Sequence, residues 1–584
     1  MRLKITKSKK STRLYAIKST YDPKTGKTSS KVAANLGSVE QIMQDRGVDY
    51  EGALAIAKDL VARLTAKEAA AKTSVTVRLN PSKQIEKDTR RSVNVGYLFP
   101  RKVLSELRLS EICESISQHL DFEFNLAEIT EHLVVARMIE PTSKLATYKW
   151  CQNLVEIPSF SKHQIYRALS VLAKNSDTIQ AALYKYSAQI TKRRTGVLYY
   201  DCTNYFFEIE SADVSGDRQY GLSKEHRPNP IVQMGLFMDT DGIPLAFRIT
   251  PGNQSEQTTL KPLEKTIIDD FGHSKFVVCT DAGLSSKENK YFNTKGERAF
   301  VTVQSIKKMK AYLQKWALDN TGWTLPGKEI PYDLQTLDED DFWDDIFYKQ
   351  RWVKDDDGFI QRYIVTFSFK YAAYQASIRA QQTQRVATKL EQGISAIKRR
   401  NPNDPARFLS SKHITDEGEL AQREVISLDE VKIAKEARFD GFSCVATSLD
   451  DKPEDIIAIN KQRWQIEECF RIMKTEFKAR PVYLSCQDRI QGHFLTCFIA
   501  LLVYRLIDKR LKSEFSCEQL LSTLRNMNML ELVGEGWIPA YTRTNITDAL
   551  HETFGMRTDT EIVSNRQMRK ILTTSRNPKQ KVTK

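Results

Sequence analysis

Two aspartates stand where a folded chain rarely tolerates them. Gly196-Val-Leu-Tyr-Tyr-Asp201-Cys-Thr203 and Lys275-Phe-Val-Val-Cys-Thr280, which runs directly into Asp281, both read as buried β-strands. A carboxylate in such a strand is costly unless a cation or a set of donors compensates it. Either acid alone reads more readily as a strand-end turn or cap residue. Two of them, in neighbouring β units, constrain the fold to bring compensation to both.

The surrounding pattern supplies the units. Pro230-Ile-Val-Gln-Met-Gly-Leu-Phe-Met238 and Ile243-Pro-Leu-Ala-Phe-Arg-Ile249 are apolar runs joined by Asp239-Thr-Asp-Gly242, a hairpin signal. Thr258–Asp270 reads as a helix, so the order around the two acids is β-β-β-α-β. A last strand is expected at Gly441–Thr447, followed by a long helix from about Pro453 to Lys478. At about 100° per residue, Asn460, Arg463, Glu467, Arg471 and Lys474 fall within roughly 80° on that helix. They border the apolar stripe of Ile459, Ile466, Phe470, Met473 and Phe477. A carboxylate held there among cations is poised at a cleft; intrahelical ion pairing would account for Glu467 but not for the two strand acids. Hard oxygen donors of this kind select Mg²⁺, with Mn²⁺ as a substitute. Two such ions, held roughly 4 Å apart, clamp a scissile phosphate.

Charge points the same way. The chain has 584 residues and a formal net charge of +15, which favours a polyanion through counterion release. Residues 1–31 carry ten Lys or Arg against Asp22 alone, and residues 566–584 carry seven with no acid. Nine cysteines without a CxxC pair argue against a disulfide framework or zinc ribbon and lead to the expectation of a reducing bacterial cytoplasm or nucleoid. No apolar run follows Met1, so no leader is expected; Phe494–Ile507, broken by Arg505, reads as a buried helix and not a membrane span.

Further along the chain, a basic hairpin is expected over 13–37, turned at Asp22-Pro-Lys-Thr-Gly26, then an Ala-rich helix over 51–73. Residues 100–190 read as all-helical. Lys162–Leu172, with Lys162, His163, Gln164, Tyr166 and Arg167, resembles a DNA-reading helix as much as a plain bundle helix. Residues 305–440 break the β/α rhythm with an acidic run at Asp338–Asp345 and a hairpin of Gln350–Val353 with Tyr363–Phe367 turned at Asp355–Gly358. A polar helix over Tyr371–Arg399 and a Pro-rich break at Asn401–Pro405 follow. The organisation expected is therefore 1–95 basic hairpin and helix; 96–190 helical and a possible DNA-binding domain; 191–304 and 441–550 the two halves of a catalytic core; 305–440 an insertion; 551–584 a basic tail.

At Arg463, Glu467 and Lys474 the chain resembles the DDE insertion-sequence transposases with a Tyr-x2-Arg-x3-Glu-x6-Lys signature, with Asn460 in place of the Tyr. Asp201-x-Thr203, Tyr220-Gly-Leu-Ser-Lys-Glu-His-Arg227, Gln233-Met-Gly-Leu, Pro251-Gly-Asn-Gln-Ser-Glu256 and Asp281-Ala-Gly extend the resemblance over about Gly196–Arg505. The resemblance implies an α/β, RNase-H-like mixed sheet flanked by helices, with a β-containing insertion between the second Asp and the Glu. It implies Asp201, Asp281 and Glu467 as metal ligands and catalytic residues, with Arg463, Lys474, Arg471 and Asn460 near DNA. It also implies cleavage of double-stranded DNA at terminal inverted repeats, strand transfer into target DNA, a synaptic homodimer, and an aromatic in the insertion that holds a flipped base, for which Trp323, Trp343 and Trp352 are candidates. Two other readings share the fold: a nuclease without strand transfer, and a transposase-derived DNA-binding protein without chemistry. The intact set of acids argues against the last.

Overall fold

A computed structural model describes residues 1–8, 11–22, 27–73, 80–391, 403–412 and 425–579. The Asp22–Gly26 turn, the end of the Tyr371–Arg399 helix, part of the Asn401–Pro405 break and the last five residues of the basic tail lie outside or only partly within them. The chain divides into two compact units, Met1–Thr89 with Val533–Glu535, and Arg90–Leu532 with Gly536–Lys584.

In the first unit β1 (Arg2–Lys7), β2 (Thr12–Asp22) and β3 (Lys27–Ser38) form an antiparallel sheet, so the expected hairpin gains a strand ahead of it. Helices α1 (Val39–Arg46) and α2 (Tyr50–Thr73) follow, and Leu14, Val39, Ala53 and Ala57 make a small core.

The second unit opens with β4 (Ser92–Asn94) and a helical run: α3 (Leu98–Glu106), α4 (Leu109–Ser117), α5 (Leu126–Ile139), α6 (Lys144–Cys151), α7 (Lys162–Lys174) and α8 (Ser176–Ile190). Then come β5 (Val197–Phe206), β6 (Ile231–Met238), β7 (Pro244–Pro251), α9 (Leu260–Asp269), β8 (Val277–Thr280), α10 (Lys287–Phe292) and β9 (Ala299–Val303). These five strands lie in the order β9-β8-β5-β6-β7. The first three are mutually parallel, and β6 and β7 are antiparallel to their neighbours. This is the RNase-H-like arrangement. The turn between β6 and β7 forms as its residues require: Asp239 Oδ1 accepts from the amides of Asp241 and Ile243, both at 3.0 Å, and Gly242 takes φ +71°.

The segment after β9 holds α11 (Ala311–Ala317), β10 (Phe347–Lys354), β11 (Ile360–Phe367), α12 (Phe369–Glu391), a short pair of β12 (Leu409–Lys412) with β13 (Val425–Leu428), and α13 (Glu430–Ala437). It leads into β14 (Phe442–Thr447). The hairpin expected here is present, and it does not stand apart. β14 pairs antiparallel with β9, β11 with β14 and β10 with β11, so the main sheet reaches eight strands. A separate apolar cluster around Trp323, Phe347, Phe367 and Phe369 covers this extension.

The expected long helix after β14 is two: α14 (Pro453–Lys461) and α15 (Trp464–Thr475). The amides of Gln462, Arg463, Gln465 and Ile466 all bond three residues back, tightening the chain into a break at Gln462–Arg463. Periodicity misses this, because the apolar stripe resumes in nearly the same phase.

Next is α16 (Gln487–Arg510), apolar on all sides and buried from Ile490 to Ile507 apart from Gln491. It is the one helix among the described residues long and apolar enough to cross a membrane, and 94% of that window is buried inside the protein. An all-round apolar helix of this kind belongs to a core. It packs against α3, α5, α7 and β7 in a single cluster shared by the helical run and the sheet. A Cβ on Gly492 would lie 2.2 Å from the Leu169 carbonyl oxygen, so α16 and α7 meet there backbone to backbone. Gly492→Ala is expected to destabilise the protein by about 1–3 kcal/mol, outweighing the helix-propensity gain of about 1 kcal/mol. A denaturant midpoint no lower than that of the unaltered protein would contradict that contact.

Candidate functional site

The site is built on the central strand. Tyr199, Asp201, Thr203 and Tyr205 alternate onto one face of β5. The α14–α15 segment crosses that face and is tied to it at both ends. Tyr199 Oη donates to the Ile459 carbonyl at 3.0 Å, Lys474 Nζ donates to Thr203 Oγ1 at 2.6 Å, and Tyr205 Oη lies 3.7 Å from Met473 Sδ. Asp201 and Glu467 occupy the middle of the crossing segments.

The second aspartate arrives through strand register. β5 and β8 run parallel with Val197 opposite Val277, Leu198 opposite Val278 and Tyr199 opposite Cys279. Continued along the chain, this register sets Asp201 beside Asp281, on strands roughly 4.8 Å apart. Asp281 caps the turn that follows β8: its Oδ1 accepts from the amides of Gly283 at 2.9 Å and Leu284 at 3.2 Å. Asp201 Oδ1 accepts from its neighbour's amide, Cys202 N, at 2.7 Å. Burial raises the Asp201 carboxyl to about 6, the negative charge of Asp281 adding to the rise and Lys224 and Arg463 opposing it. A buried carboxyl raised in part by a neighbouring carboxylate fits a divalent hard cation, which would remove the repulsion.

Glu467 is 58% exposed and pairs with Arg463 at 3.0 Å. Arg463 also acts on Asp201 by charge, so it stands between the helix acid and the strand acid. Asn460, one residue before the end of α14, has a buried Oδ1 without a hydrogen-bond partner. Arg471, also on α15, is exposed and pairs with Glu468 at 3.5 Å.

Several residues at the site lie in motifs that carried the resemblance but were given no role of their own there. Lys224 Nζ donates to the Cys202 carbonyl at 2.5 Å and pairs with Glu256 at 3.0 Å. Burial works against the charge of Lys224, but Asp201 and Glu256 hold its pKa above the ordinary lysine value. Glu225 pairs with Arg480 and lies 3.7 Å from Lys474 Nζ. Burial, then the like charge of Lys224, lowers Lys474 to about 8. Thr203 was quoted with Asp201 as Asp201-x-Thr203, and strand alternation sets the two on one face. Lys224 and Glu225 stand in a loop, where no periodicity marks them.

Of the three tryptophans considered for base stacking, Trp323 is fully buried and donates Nε1–H to the Asp319 carbonyl at 2.8 Å, which makes it a core residue. Trp343 and Trp352 are exposed at 38% and 45%. The acidic run Asp338–Asp345 is almost wholly exposed, with Asp344 paired to Lys370. Among the described residues, one group of acids and histidine brings its ligand atoms within 4.8 Å of one another: Asp548, His551 and Asp559. Its carboxylates already pair with Arg543 at 2.6 Å and Arg557 at 2.7 Å, which accounts for it as an ion-pair network.

A family model described as a transposase DDE domain matches residues 207–503, just over half of the chain. The chain belongs to the transposase DDE domain family. The match includes Asp281 and Glu467 and begins just after β5, so Asp201 enters through its strand register with Asp281. No curated protein matches the transposase. One solved structure similar to it is a piggyBac transposase synaptic complex with hairpin DNA, at 8% identity, TM-score 0.35, and coverage of 84% of this chain and 85% of that chain. Another is a Mos1 transposase paired-end complex with the left transposon end, at 12% identity, TM-score 0.12, and coverage of 40% and 63%. Scores this low add nothing to the family assignment.

Proposed function

We propose that this DNA transposase cuts DNA at the ends of a mobile element and joins the freed 3′ ends to target DNA, with Asp201, Asp281 and Glu467 as its metal ligands. The observation that carries this reading is the parallel register of β5 with β8, which sets two carboxylates side by side on the face crossed by the Glu467 helix. Bound Mg²⁺, as two ions with Mn²⁺ as a substitute, supplies activation of the attacking water or 3′-hydroxyl and stabilisation of the leaving oxygen.

The chain's own residues do the rest. Asp201 and Asp281 hold their oxygens in place through the strand and the capped turn. Arg463 orients Glu467 and partly offsets the charge of Asp201. Lys474, fixed by Thr203, offers a cation to a phosphate oxygen beside the carboxylates. Lys162, His163 and Arg167 remain exposed on α7 for DNA, whereas Gln164 caps that helix by accepting from Ser161 N at 2.7 Å. Two copies would pair the two element ends in a synaptic dimer.

The test is strand transfer. A DNA carrying the element's terminal repeat with a free 3′-hydroxyl is incubated with supercoiled plasmid and Mg²⁺. Joined products are expected. Hydrolysis with no joining under either Mg²⁺ or Mn²⁺ would assign the chain to the nuclease reading instead.

A further inference from the structure

A cavity of about 450 Å³ opens where the chain leaves α15 and meets the amino end of α6. Its inner wall holds Arg137, Lys144 and His493, exposed at 5%, 6% and 5%. No carboxylate lines it. Arg137 spends its Nη atoms on the carbonyls of Phe477 at 3.1 Å, Lys478 at 3.4 Å and Thr142 at 3.3 Å, and its Nε has no partner. The hydrogen-bond partner of Lys144 Nζ is His493 Nδ1, at 3.4 Å. His493 lies 3.3 Å from the Ala479 carbonyl through Nε2, which leaves Nδ1 as an acceptor. Burial holds His493 well below its ordinary value and, with the like charge of Arg137, brings Lys144 down to about 7.

Buried cations are normally paired, because the desolvation cost is otherwise uncompensated. Here two adjacent cations are buried without an acid, at the wall of an open cavity. That is the arrangement of a site completed by an anion from outside. The rim adds Arg480 and two aromatic rings, Tyr166 and the 65% exposed Tyr483. Arg480 pairs with Glu225, which neighbours Lys474, so the cavity adjoins the carboxylate site.

We propose that this cavity seats a backbone phosphate of the DNA strand next to the carboxylate site, with Lys144 and Arg137 on its oxygens and Tyr166 and Tyr483 against the adjoining sugar and base. The proposal rests on the DNA-cutting reading for its ligand and assigns that ligand a contact outside the metal ligands and the Arg463–Lys474 helix. Flat aromatic rims accept any base, so the contact adds affinity without sequence preference.

Lys144→Met separates binding from folding. Met fills similar volume and removes an unpaired buried charge, so the variant should melt above the unaltered protein. Its affinity for a short labelled duplex and a short single strand of arbitrary sequence, followed by fluorescence anisotropy across a NaCl series, should fall about tenfold, with the log–log salt slope reduced by about one. Lys478→Gln, at the exposed rim, should reduce the slope in the same direction and is free of folding effects. In a second arm, millimolar inorganic phosphate should raise the melting temperature of the unaltered protein and not of Lys144→Met. Unchanged DNA affinity and slope in Lys144→Met would overturn the proposal, and so would a phosphate-dependent melting shift combined with unchanged DNA affinity, which would assign the cavity to a free small anion. Asp281→Asn, with an intact cavity, serves as the reference. If it cleaves normally the metal-site reading fails, while the Lys144 comparison still stands or falls by itself.

Discussion

Asp281→Asn is expected to lower DNA cleavage by on the order of 1000-fold, equivalent to about 4 kcal/mol of lost transition-state stabilisation. DNA affinity should stay within about twofold, below about 0.5 kcal/mol. The substitution is selective because of how Asp281 is held. Its Oδ1 accepts from Gly283 N and Leu284 N, and an amide oxygen can accept both bonds, so the turn after β8 should persist. What is lost is the negative charge and, on the proposed metal-site reading, one strong ligand oxygen. Removing that charge also removes one of the contributions that raise the Asp201 carboxyl, so the remaining aspartate should ionise more readily in the variant. Cleavage assays over a Mg²⁺ titration, with anisotropy as the binding control, check both halves. Activity equal to that of the unaltered protein would remove Asp281 from the site.

Glu467→Gln should cost on the order of 100-fold in cleavage, about 3 kcal/mol, and almost nothing in stability. The side chain is 58% exposed and its ion pair with Arg463 is of the surface type, worth less than about 1 kcal/mol. The two variants therefore differ in a useful way. Asp281 is fixed by the backbone of the sheet, whereas Glu467 is carried on a helix that starts at a break in the chain. If Glu467→Gln cuts DNA at an undiminished rate, the third ligand lies elsewhere on α15 or on another element. A large drop in melting temperature would instead give Glu467 a structural role that its exposure does not suggest.

Much of this arrangement was legible in the sequence, for physical reasons that differ by element. Asp201 and Asp281 stand out because an acid in an apolar strand contradicts its surroundings, and the β-β-β-α-β order leads to the parallel pairing that unites them. The buried α16 was legible from composition alone. The α14–α15 break was not, because three-residue bonding at Gln462–Arg463 shifts the chain without spoiling its apolar repeat. The strand β9, only Ala299–Val303, passes unnoticed as a short apolar run, although it completes the five-stranded core. The β10–β11 hairpin was visible, but its attachment to β14 depends on long-range pairing that local pattern does not encode. Lys224, Glu225 and the Lys144–Arg137 cavity depend on contacts between distant segments and carry no periodic mark.

Anomalous diffraction from crystals soaked in Mn²⁺ tests the central claim most directly. Manganese is expected on the oxygens of Asp201 and Asp281, within reach of Glu467. Manganese absent from these residues, or bound only at Asp548, His551 and Asp559, would contradict it.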